Sequence, residues 1–263
     1  MAARGNSDFA WDTFDPEAYV AHYYADPHPD DDEVVRLTCA VLAAPGRRDL
    51  QCIDVGTGPN LFPLLAALPV ANKLTVWEYG EANIAWMLRE LATAALRPPW
   101  THFWQVARSA HGEMAREIEA PVAALAERTE IVPGSIFDLP KRAWDAGTMF
   151  FCAESITARQ EEFERACAAF AGAVRPGGVL AAAFLSGSRG YRVGEVEFPA
   201  VSVTPESLAR ACTRQASNPA RSRISRPRGT AVRTTCPPPA RMPASIIRFS
   251  AQPKSSIWMS AAS

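Results

Sequence analysis

The chain has 263 residues, 48% of them hydrophobic and 21% charged, with a formal net charge of −1, which is enough to bury one large core. It has no run of eighteen apolar residues and its first fourteen residues are polar and acidic, which argues against a membrane span and a secretory leader. The six cysteines are scattered, with no Cys-x-x-Cys and no paired histidines, so disulfide and zinc frameworks are disfavoured and a reducing cytoplasm fits best.

Phe14-Asp15-Pro16-Glu17-Ala18-Tyr19-Val20-Ala21-His22-Tyr23-Tyr24 is rich in aromatic residues. Asp15 suits an N-cap and Pro16 the first helical position, so a helix starts here, with Tyr19 and Tyr23 four apart on one face. Two roles fit the segment: a helix pinned to the core by its rings, or a lid over residues 14–24 whose phenols meet a ligand. After an acidic loop, Asp30-Asp31-Asp32, the residues Val34, Val35, Leu37, Val41 and Leu42 form one apolar helical face ending near Pro45-Gly46.

The stretch from Gln51 to Phe62 organises the rest. An apolar run, then Gly56-Thr57-Gly58, then helix-compatible residues reads as strand, tight turn and helix, the geometry that brings backbone N–H groups up to a nucleotide-like ligand. Gly56 and Gly58 lack a Cβ, so ligand and backbone can approach each other. A dinucleotide fingerprint requires a third glycine where Leu61 stands, so the turn suits a ligand without pyrophosphate and disfavours a nicotinamide-dinucleotide dehydrogenase. Twenty-two positions after Gly56, the run Leu74-Thr75-Val76-Trp77 ends in Glu78. An acid at the tip of a second strand can accept hydrogen bonds from both hydroxyls of a ribose, and the two features together point to an adenosine-type cofactor.

Leu61, Leu64, Leu65 and Leu68 make one helical stripe, and Ile84, Met87, Leu88 and Leu91 make another that ends at Pro98-Pro99. Residues 100–128 lengthen the next connection and predict a helical insertion capping one end of the sheet. Glu130-Ile131-Val132 reads as the third strand, and Trp144 to Phe151 as the fourth, which runs into Cys152-Ala153-Glu154-Ser155. Phe163, Cys167, Phe170 and Val174 stripe a helix that stops at Arg175-Pro176-Gly177-Gly178, and Val179 to Leu185 is the fifth strand. A glycine-rich loop through Tyr191 and Glu195, an extended piece from Val196 to Val203 and a helix start at Thr204-Pro205-Glu206 follow. The alternation predicts an α/β fold, a Rossmann-like sheet with flanking helices, over residues 1–212.

From Thr213 the periodicity stops. The last 51 residues hold seven prolines, nine serines, eight Arg and one Lys, with no acid, so they predict an unstructured tail; the switch is as abrupt as a change of reading frame. Residues 1–212 then hold 18 basic side chains against all 28 acidic ones, a net of −10 that disfavours a nucleic-acid partner for the main domain.

Taken together, the aromatic leader with its double tyrosine, Ile53-Asp54-Val55-Gly56-Thr57-Gly58-Pro59, Trp77-Glu78-Tyr79 with Asn83 five beyond the acid, Arg175-Pro176-Gly177-Gly178 and Tyr191-Arg192-Val193-Gly194-Glu195 resemble the nicotinamide, phenylethanolamine and indolethylamine N-methyltransferases. The resemblance covers roughly residues 14 to 212. It implies a seven-stranded class I methyltransferase sheet, S-adenosylmethionine as cofactor, and methyl transfer to the nitrogen of a small-molecule acceptor, with no nucleic-acid or membrane partner. By position it implies cofactor contacts from Tyr19, Tyr24, Gly56, Thr57, Gly58, Phe62, Glu78 and Asn83. Ser135 and Ile136 occupy the place near the adenine where an acid is usual, with Asp138 as a possible substitute. Glu154 matches an acid bordering the acceptor, and is the candidate to orient an amine or take its proton; Tyr191 belongs to the acceptor side. Phe184 stands where the nicotinamide enzyme has an acid, which disfavours nicotinamide. The family also closes its sheet with two strands beyond Thr204 that the tail does not suggest, so the fifth strand would be left an open apolar edge. A cofactor-binding relative without turnover is the alternative.

Overall fold

The computed structural model describes residues 3–204, 207 and 208, and the backbone of residues 222–224, 244–250 and 257–261. Five strands, β1 (Leu50–Val55), β2 (Ala71–Glu78), β3 (Thr129–Pro133), β4 (Trp144–Phe150) and β5 (Val174–Leu185), lie side by side in the order β3-β2-β1-β4-β5, each parallel to its neighbours. The chain moves outward from β1 to β2 and β3, then returns past β1 to β4. The crevice where direction reverses, at the carboxyl ends of β1 and β4, is where such sheets bind ligands.

Alternation along the strands divides the interior into two cores. Leu50, Cys52, Leu74, Val76, Ala146, Phe150, Val179, Ala181 and Ala183 enter one, together with helices α2 (Pro29–Ala43), α3 (Phe62–Ala67), α4 (Glu81–Leu91) and α5 (Pro98–His111). Ile53, Val55, Met149, Leu180, Ala182 and Phe184 enter the other, under α7 (Gln160–Ala173). Burial on both faces explains why these strands read as nearly continuous apolar runs.

The leader helix α1 spans Pro16–Tyr23, and the Asp15 carboxylate accepts from the N–H groups of Glu17 and Ala18, as its sequence predicts. Asp30, Asp31 and Asp32 are not a loop: they form the first turn of α2, where a helix N-terminus favours negative charge. On α4 the inward face is Asn83, Trp86, Met87 and Glu90, whereas Leu88 is 56% exposed; the two indoles at Trp86 and Trp100 pack edge-on and turn the helix away from the leucine stripe. The insertion begins two residues earlier than its composition suggests, packs α5 against α2 and α3, and continues through α6 (Pro121–Arg128), which contacts β2 and α4. The glycine-rich loop around Tyr191 is instead a hairpin, β6 (Gly190–Val193) against β7 (Val196–Pro199), turned at Gly194 with φ +55°.

The open edge predicted for β5 is not what the backbone shows. Strand β9 (Ala244–Ser250) pairs antiparallel with Val179–Leu185, and β10 (Ile257–Ala261) and β8 (Ser222–Ile224) continue the sheet beyond it. The run Ile246-Ile247-Arg248-Phe249 carries enough β-branched and aromatic residues to pair with a waiting edge, although the prolines around it hide the signal. The rest of the predicted tail lies outside the described residues. No helix among the described residues is long and apolar enough to cross a membrane.

Candidate active site

A cavity of about 340 Å³ opens at the carboxyl ends of β1, β2 and β4, under the leader. Its floor is the glycine turn. Gly56 has φ +63° and donates its N–H to the Trp77 carbonyl at 2.8 Å; a Cβ there would meet Cys152 Sγ at 2.2 Å. Gly58 has φ +57°, and a Cβ on it would meet nothing within 4 Å, so this glycine supplies conformation and an uncovered backbone. Thr57 lies between them, its hydroxyl donating to the Asp54 carbonyl at 3.4 Å.

Glu78 is buried at the tip of β2 and fixed from several sides. Its Oε2 accepts the Gly58 N–H at 2.8 Å, and its Oε1 accepts the Gly80 N–H at 2.8 Å and the Asn83 side-chain amide at 3.2 Å. The Glu78 carbonyl also accepts the Gly134 N–H. A carboxylate has about four acceptor positions, so three are taken. A ribose diol needs two, and the Asn83 amide is the donor most able to share or yield. The next residue, Tyr79, lines the same cavity and is 60% exposed, leaving a ring face open for a base to stack on. Ser135 and Ile136 reach the cavity beyond it, and the Ser135 carbonyl accepts the Trp77 indole N–H at 2.9 Å. Asp138 is exposed and is not among the lining residues.

The leader covers the opposite side. Tyr19, Tyr23 and Tyr24 all line the cavity while packing together, Tyr19 tilted against Tyr23 with ring centroids 4.6 Å apart and edge-on to Tyr24 at 5.9 Å. The rings of this one helix both pack together and face the cavity. Tyr24 is buried against Phe62, Trp100 and Phe103, and its hydroxyl accepts the Asn60 side-chain amide at 3.1 Å. Burial holds the Tyr19 phenol far above its ordinary pKa, so it stays neutral.

Two predicted residues stand elsewhere. Phe62 is fully buried and is not on the cavity wall, because all six residues of α3 face inward and the ring stacks on Phe150 at 5.4 Å. Glu154 is also fully buried, one layer behind the wall formed by Cys152, Ser155 and Leu185. Its Oε1 accepts the Leu185 N–H at 2.8 Å, and its Oε2 has no hydrogen-bond partner among the described residues. Desolvation pushes its pKa up to about 8.

Tyr191 does line the cavity, stacked on Phe198 at 5.4 Å. Trp11 also stacks on Phe198, at 5.5 Å, and Phe14 closes against the same ring at 5.2 Å. Trp11, Asn60 and Tyr79 also line the cavity, and no motif in the sequence marks them as site residues. Asn60 left a readable trace, an Asx residue just before a helix whose side chain accepts the Phe62 N–H. Trp11 left none, since its partner lies almost two hundred residues away.

The sequence model of the NNMT/PNMT/TEMT family matches residues 5–219. The chain belongs to this family. It is an S-adenosylmethionine-dependent methyltransferase with a Rossmann-like fold, and the glycine turn, Glu78 and the open ring of Tyr79 suit that cofactor. The NNMT/PNMT/TEMT member is 28% identical over 233 residues to phenylethanolamine N-methyltransferase of Bos taurus, covering 79% of each chain. It is 27% identical over 223 residues to the enzyme of the same name from Homo sapiens, covering 78% of each. A SAM-dependent methyltransferase from Leishmania major shares the fold with a TM-score of 0.50 and 13% identity, over 78% of this chain and 69% of that one.

Proposed function

We propose that this methyltransferase, built on residues 1–212, methylates the nitrogen of a small aromatic amine or heterocycle. The observation that carries the reading is the make-up of the cavity wall. Trp11, Phe14 and Tyr191 form an aromatic side, and the lining carries the carboxylates Asp30, Asp31 and Glu78 beside His22 and His28, with no Lys or Arg among those described. Such a wall favours a flat, protonatable acceptor over one carrying a carboxylate or phosphate. The two relatives named for phenylethanolamine support an amine, and the absence of an acid at Phe184, which packs in the core against Phe163, weighs against nicotinamide. Four described cysteines, all buried and free, support a cytoplasmic setting.

In this reading Glu78 and Asn83 receive the ribose, Tyr79 with Ser135 and Ile136 borders the base, and the backbone of Gly56, Thr57 and Gly58 lies along the amino-acid end, beneath Tyr19 and Tyr24. Bound there, S-adenosylmethionine supplies an electrophilic methyl group on a sulfonium. The residues of the chain do the rest by position. The leader excludes water and holds the acceptor nitrogen in line, and phenol faces tolerate a nearby cation. The nitrogen must present a lone pair, and Glu154, one layer behind the wall with one oxygen fixed by Leu185 and the other without a partner among the described residues, acts on it through an intervening water, orienting it or, once ionised, taking its proton. Transfer of labelled methyl from the cofactor to a panel of aryl and arylalkyl amines, with matched carboxylated analogues, tests this. Amines are expected to be labelled and their carboxylated counterparts rejected; labelling confined to hydroxyl or carboxylate acceptors would overturn the reading.

A further inference from the structure

Glu17 sits on α1 but does not line the cavity. Its Oε1 accepts the Trp86 indole N–H at 3.1 Å, and its Oε2 meets Arg97 Nη1 at 2.9 Å. Arg97, the N-cap residue of α5, turns its Nε to Glu90 at 2.9 Å and lies over the Trp86 ring. Glu90 in turn accepts the Trp100 indole N–H at 2.9 Å. Trp86 and Trp100 are fully buried, so one acidic side chain on the leader ends in a fixed frame made by α4 and α5. That same α4 carries Asn83, the donor to Glu78, at its other end.

We propose that Glu17 is a positioning residue for the cofactor, a latch that keeps the tyrosine-bearing face of α1 across the cavity. The inference rests on the assignment of Tyr19 and Tyr24 to the cofactor. An eight-residue helix is too short to hold its place by its own backbone, so its anchors decide where it lies. This anchor is breakable. The Glu17 and Arg97 side chains are 56% and 34% exposed, which makes the ion pair weak and open to screening by salt. The Trp86 N–H is buried and requires an acceptor, which gives the latched position its preference. Breaking the pair frees the lid without touching Glu78.

The test is the rate at which S-adenosylhomocysteine leaves, followed by stopped-flow fluorescence at 0.05 and 1 M salt, for wild type, Glu17→Gln and Glu17→Ala. Glu17→Gln keeps an oxygen for Trp86 and is expected to speed release roughly two- to fivefold. Glu17→Ala strips that acceptor as well and is expected to speed release about tenfold. Wild-type release quickens with salt while that of both variants stays flat, a response that a general loss of packing does not produce. The cofactor KM rises in both, more in Glu17→Ala than in Glu17→Gln. Release from Glu17→Ala at the wild-type rate, or a salt response shared by wild type and variants, would overturn the latch. Should Glu17→Ala fold poorly, Glu17→Gln alone decides. Glu78→Ala, run alongside, reports on the cofactor site itself whichever way the latch falls.

Discussion

Glu154 shows how burial gives a carboxyl its chemistry. With no counter-ion beside it among the described residues, desolvation raises its pKa from an ordinary 4.5 to about 8. Below 4.5 the group is protonated whether the chain is folded or not. Between 4.5 and 8 the folded chain keeps a proton that the unfolded chain has lost, so stability falls as pH rises through that window. Asp54 adds to this at lower pH, since burial raises it from 3.8 to about 6 with only Thr148 and Thr57 working against the shift. Glu154→Gln carries no charge at any pH. Its melting temperature is expected to exceed that of wild type by a widening margin from pH 6 to 9, equivalent to a few kcal/mol at most, while methyl transfer to the amine drops about a hundredfold. Parallel melting curves against pH, or unchanged turnover, would remove Glu154 from its assigned place. The depth of this residue was hidden in the sequence: its position just past β4 is legible, but the cover over it comes from Leu185 and from the Val201 N–H on its carbonyl, contacts made by distant residues.

The glycine turn is the element whose role is written most clearly in local sequence, because strand, turn and helix are contiguous and the backbone need is specific. Its two glycines nevertheless do different things. Gly56→Ala forces a Cβ against Cys152 Sγ at 2.2 Å in a left-handed conformation, whereas Gly58→Ala meets open space and only the conformational cost. Thermal denaturation is expected to show a loss of about 1–2 kcal/mol for Gly58→Ala and roughly 2–4 kcal/mol for Gly56→Ala; equal losses would mean that Cys152 gives way freely. The leader is the opposite case. Its helix start is legible from Asp15 and Pro16, but its anchorage is not. Asn6 N–H donates to Glu162, Arg159 pairs with Asp8 and Glu162, and Glu17 reaches Trp86 and Arg97. Apart from the local Arg159–Glu162 pair, these partners are separated by 69 to 156 positions, a distance over which periodicity carries no information. Phe62 stands off the cavity wall for a related reason: a six-residue helix covered on all sides offers its ring to the core rather than to the cavity.

At the scale of the molecule, five strands in one α/β sheet are what apolar runs alternating with helical stripes predict, while their order around the switch point is seen only in the fold, and residues on each strand divide between the two cores as the two-residue period requires. The edge was misread because the strand that covers β5 comes from a proline-rich, basic stretch, whose composition outweighs a four-residue β-forming run. The site was legible where one element holds it and illegible where several converge: Gly56, Gly58 and Glu78 emerge from spacing, Tyr79, Trp11 and Asn60 from packing. All of these converge on one claim, that the ribose of S-adenosylmethionine is held at the tip of β2. Isothermal titration of S-adenosylhomocysteine into wild type and Glu78→Ala tests it most directly. One equivalent should bind the wild type, and the variant, which loses the carboxylate for both hydroxyls, should bind at least about a hundredfold more weakly; equal affinity in the two proteins would contradict the account.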